Sequence, residues 1–261
     1  MRAFAAAAMA AWCNAYYRGQ VSPDDLAGAL ASAGMQSLRI DGHAEPPVVG
    51  LAVIRDRVAR GQPSEHEDLP GAPSPVSVRL LLPTSGQVAG LTGPVEFTRA
   101  AVASEMALVV HAGTGHGRTW MGVVPAAGGV WVARTLASDP VAAGHWPTLA
   151  QARSTFLTTT AQAAAQLSTS GVAPDDDAHD RLDRARDRPP PVLPPRWSPA
   201  ARDLLTRAAF TAELTGTARA ARPDKRQDKP PSGDRNHQLS RVRRAALDAM
   251  AAAASDPAAI G

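Results

Sequence analysis

One cysteine, Cys13, supplies all the thiol chemistry in 261 residues. No disulfide can close within the chain, and no cysteine-based zinc site can form in it. Lysine is almost missing too: Lys225 and Lys229 stand against 25 arginines, a usage typical of a GC-rich bacterial genome and no guide to function. Aromatic residues make up 4%. No run of about 18 strongly apolar residues occurs, so no transmembrane helix and no membrane role are expected. What is present in quantity is alanine, proline and arginine. With 44% hydrophobic residues the chain has material for a core, while 23 prolines mark stretches that do not pack.

The large apolar side chains concentrate between Val78 and Leu136. Val78, Leu80 and Leu82 alternate with Ser77, Arg79 and Leu81, the period of a strand, and Pro83 ends that run. Gly93 and Pro94 with Glu96 then signal a helix start. Phe97, Ala100, Ala101 and Ser104 share a helical side, and MALVVH at 106–111 follows as an apolar run of strand length. The Gly-rich connections AGTGHG and AAGG join it to RTWMGVVP and VWVARTLA, which predicts an antiparallel meander. Strands are expected near 76–82, 106–111, 118–124 and 130–136, with SLRI at 37–40 as an edge. Helices 94–104 and 149–167 are expected to pack against that sheet.

Upstream, Ser22-Pro23-Asp24-Asp25 predicts a capped helix with Leu26 and Leu30 inward, and Pro46-Pro47 opens another through Arg60. Phe4, Ala8 and Trp12 form a helical stripe at the start, which favours a helix of the folded domain over a signal peptide. Residues 62–75 have turn formers and no apolar period, and read as a mobile loop. The order LLLPTSGQVAGLTGPVEF, a helix with Ala100, Ala101 and Glu105, and then GVVP resembles a family of uncharacterised actinobacterial proteins. The likeness extends to WCNAYYRGQVSPDDLAGAL and to RVRRAALDAMAAAA. This chain departs from such relatives at Ser85-Gly86-Gln87, where they carry a Gly-Asp turn, and at Thr98, where they carry Asn. The resemblance implies an architecture and no activity.

The fold class is therefore α+β: a single small mixed or antiparallel sheet flanked by helices, then a Pro- and charge-rich linker and a C-terminal helical pair. The boundaries are 1–168 for the α+β domain, 169–197 for a disordered or semi-extended linker containing PPPVLPP, and 198–261 for the pair, with a polar break at 221–237. Charge follows these divisions. Counting Arg, Lys, Asp and Glu, the net is 0 over 1–168, −1 over 169–197 and +4 over 198–261.

No pattern demands a particular chemistry, and no catalytic residue, cofactor or metal ligand is assigned. Glu105, His111, His116 and Arg118 form a candidate surface around the glycine-rich loop, whose amides suit an anion. That loop lacks the Lys and Ser/Thr of a P-loop, and His111 and His116 lack the spacing of known zinc patterns. Leu204, Leu205, Leu239, Val242 and Met250 form an apolar stripe on the C-terminal pair that something must cover, and a protein partner is the expectation. Arg241, Arg243 and Arg244 offer positive charge for phosphates. The reading is a non-catalytic cytoplasmic protein-interaction or accessory protein with a protein partner of unknown identity. The alternatives are a nucleic-acid accessory protein using the basic C-terminal helix, and a hydrolase using the His111/His116 region.

Overall fold

Alternating apolar residues build the centre of the molecule, a six-stranded sheet of order β2-β1-β6-β5-β4-β3. Its strands are β1 (Ser37–Ile40), β2 (His43–Glu45), β3 (Val76–Leu81), β4 (Ala107–Ala112), β5 (Trp120–Pro125) and β6 (Val130–Leu136). The helices are α1 (Arg2–Tyr17), α2 (Pro23–Ser32), α3 (Pro47–Arg60), α4 (Val95–Ser104), α5 (Leu149–Thr169), α6 (Pro199–Ala220) and α7 (Gly233–Ser255). This computed structural model describes residues 2–60, 76–84, 88, 90–112, 119–142, 146–169, 180, 183, 192–220 and 233–255. The expected loop at 62–75, most of the linker and residues 221–232 of the expected break lie outside the described residues, while the last five residues of that break, 233–237, are helical and open α7.

β4, β5 and β6 form the antiparallel meander that their sequence pattern predicts, and β3 joins β4 antiparallel. The sheet is mixed because β1 runs parallel to β6. All six residues of β4 are buried. A strand in the middle of a sheet covered on both faces reads as a continuous apolar run rather than an alternating one. On one face Val78, Leu80, Leu108, Val110, Met121 and Trp131 meet α1, α3 and the C-terminal helices. On the other, Leu81, Val109, Trp120 and Leu136 meet Phe97 and Ala101 of α4 with Leu91 and Val141. Trp120 and Trp131 thus pack in the core on opposite faces. The second face admits Phe97 because β5 carries Gly122: a Cβ there would lie 2.7 Å from Phe97 Cδ2. Burying a side chain of this size contributes about 1.5–3 kcal/mol.

The helix starts follow their caps. Ser22 Oγ accepts from the Asp25 amide at 3.1 Å, with the Asp25 carboxylate answering the Ser22 amide at 3.4 Å. Thr148 and Gln151 exchange the same pair of bonds before α5, and Ser198 caps α6. β2 was not expected. It arises because Asp41 (φ 50°) and Gly42 (φ 88°) fold Ser37–Glu45 into a tight hairpin, both turn residues taking the positive φ of the type favoured between two strands.

One expectation about helix packing needs correction. α5 does not lie chiefly on the sheet; it packs on α7. The helix that lies against β3 is α7, and its last turns are apolar on nearly every side: Ala245, Ala246, Leu247, Ala249, Met250, Ala252, Ala253 and Ala254 are all buried. A helix apolar all round belongs in a core, and small side chains let four neighbours approach it. Those neighbours are α6, α5, α1 and β3. The C-terminal pair therefore packs into the same core as the sheet, together with Leu193 and Trp197 from the end of the linker.

Candidate functional site

β3 hydrogen-bonds β4 on one side only, which leaves its outer row of backbone groups to be satisfied by something else. The chain uses side chains. Asn14, buried in α1, accepts from the Val78 amide at 2.8 Å and donates to the Val78 carbonyl at 2.8 Å, so its amide acts as one residue of a further strand. The same Nδ2 reaches the Ala254 carbonyl at the end of α7, at 3.3 Å. One step along, the Leu80 amide donates to Ser255 Oγ at 2.8 Å. Trp197 Nε1 donates to the Ala253 carbonyl and Trp12 Nε1 to the Val192 carbonyl. Six hydrogen bonds made by four side chains thus tie α1, β3, residues 192–197 and the α7 terminus together.

Beside Ser255, among the described residues, a cleft of about 280 Å³ opens between β3, residues 146–149 and α7. Its walls are mostly apolar, from Leu82, Leu149, Ala251 and Ala252. Two guanidinium groups and one carboxylate stand among them. Arg79 lies over the Trp146 ring, 4.7 Å from its centroid, and the indole is itself held by a bond from Nε1 to Asp139 at 3.3 Å. Arg244 forks onto Asp248, from Nε at 2.9 Å and Nη2 at 2.8 Å. Its Nη1 is buried without a hydrogen-bond partner. A stacked cation, a forked ion pair and a strand edge are binding groups: they orient a ligand and do not themselves transfer protons or attack bonds.

The residues singled out from sequence fall elsewhere. His111 is buried on β4 with its ring 4.7 Å from that of Trp120. Glu105 is exposed, ends α4 in the left-handed conformation and precedes β4, so roughly 20 Å of strand, six residues at about 3.3 Å each, separates it from His111. His116 and Arg118 lie outside the described residues. Leu204, Leu205, Leu239, Val242 and Met250 are all buried in this chain; the cover for that stripe comes from the chain's own helices and sheet. Arg241 is exposed, the Arg243 guanidinium lies over Gly216 of α6, and Arg244 faces Asp248. Arg241 and Arg244, three residues apart, share one side of the helix, and Arg243 is turned away from them. Cys13 is wholly buried, and burial pushes its thiol up from 9.0 to about 12, so no thiolate forms there near neutral pH.

Among the described residues, no group of three His, Cys, Asp or Glu could hold a metal ion, and no described helix is long and apolar enough to cross a membrane. The cleft escaped sequence reading because Arg79, Trp146 and Arg244 are far apart in the chain; the only local signal was an alternating strand with an arginine on it. The description "Rv1486c-like protein, N-terminal domain" matches residues 6–151, more than half the chain. No curated protein and no solved structure matches.

Proposed function

The chain belongs to the Rv1486c-like family, and we propose that it acts in the cytoplasm as a non-catalytic protein-interaction protein. The observation that carries this reading is the division of labour between core and surface. Among the described residues, the Cys13 thiol and the His111 imidazole are buried in the packing. A cleft among the described residues instead offers a strand edge, two guanidiniums and apolar walls, the groups by which one chain holds another. A lone buried thiol with no partner for a disulfide suits a reducing compartment. With Arg244 held by Asp248 and Arg243 beside Gly216 of α6, Arg241 is the one of the three that is exposed, which argues against a concentrated phosphate-binding face.

Affinity capture with the tagged full chain from native cells, after cross-linking, tests the reading. One protein partner recovered in stoichiometric amount, insensitive to nuclease, is the expected result. Recovery that disappears with nuclease or falls steeply with salt would transfer the function to nucleic-acid association. A metal-dependent hydrolytic activity of the purified chain would replace the reading altogether.

A further inference from the structure

We draw no further inference here: the strongest candidate, the cleft between β3, residues 146–149 and α7, belongs to the site already described, and nothing among the described residues shows what covers it.

Discussion

The two edges of this sheet are treated in opposite ways. β2, at one end, is three residues long, with His43 and Ala44 exposed, and its shortness alone limits what can pair with it. β3, at the other end, is six residues long, four of them apolar and buried. A strand of that length and character left open would template pairing with other chains. It is closed by side chains from the two ends of the described sequence, Asn14 of α1 and Ser255 of α7, with α7 laid against it. The contrast assigns the C-terminal helices a structural duty: they complete the fold that the family-matched region begins, with the cleft opening beside them among the described residues.

The comparison is broken most completely by removing the cover. Residues 1–168 alone should show no cooperative melt above room temperature, because the truncation bares β3 and α1 together and total stabilities of domains are only about 5–15 kcal/mol. A truncated form that melts like the full chain would mean that α6 and α7 merely rest on a finished domain. Next in size is Asn14→Ala, which leaves the Val78 amide and carbonyl buried without partners and should cost about 2–4 kcal/mol by chemical denaturation. Asn14→Asp should cost more, since the carbonyl oxygens of Val78 and Ala254 would then face a carboxylate.

Gly122→Ala serves as a perturbation remote from both edges. The added methyl meets the Phe97 ring, and overpacking of this kind costs about 1–3 kcal/mol. The edge bonds should survive it, so amide exchange at Val78 and Leu80 should keep its rank within the molecule. The smallest effect is expected at the other edge, where Ala44→Lys should change stability by no more than about 0.5 kcal/mol. A loss of several kcal/mol there would show that β2 is not the tolerant edge described.

How much of this could be read from the sequence varies with the kind of interaction. The meander from Ala107 to Leu136 was legible because its runs are apolar, of strand length and separated by glycines. The caps at Ser22, Thr148 and Ser198 were legible because a cap is a contact three residues long. β2 had a signal, the Asp41-Gly42 pair after SLRI, but HAE has neither length nor period. In sequence, Leu239, Val242, Ala246 and Met250 read as a single apolar stripe on α7, whereas its alanines fill the remaining sides and make it the centre of the helical layer. The role of Asn14 left no trace in sequence, since it depends on partners 64 and 240 positions away. The cleft, likewise, is a product of which elements meet.

Native-state amide hydrogen exchange on the full chain tests the central claim most directly, that side chains of α1 and α7 complete the outer edge of β3. Val78 and Leu80 should exchange slowly, at rates close to those of the β4 amides inside the sheet, and Asn14→Ala should accelerate Val78 well beyond any change at Val109. Exchange of Val78 and Leu80 as fast as that of the β2 amides would contradict the account, since it would mean that the edge is open in solution.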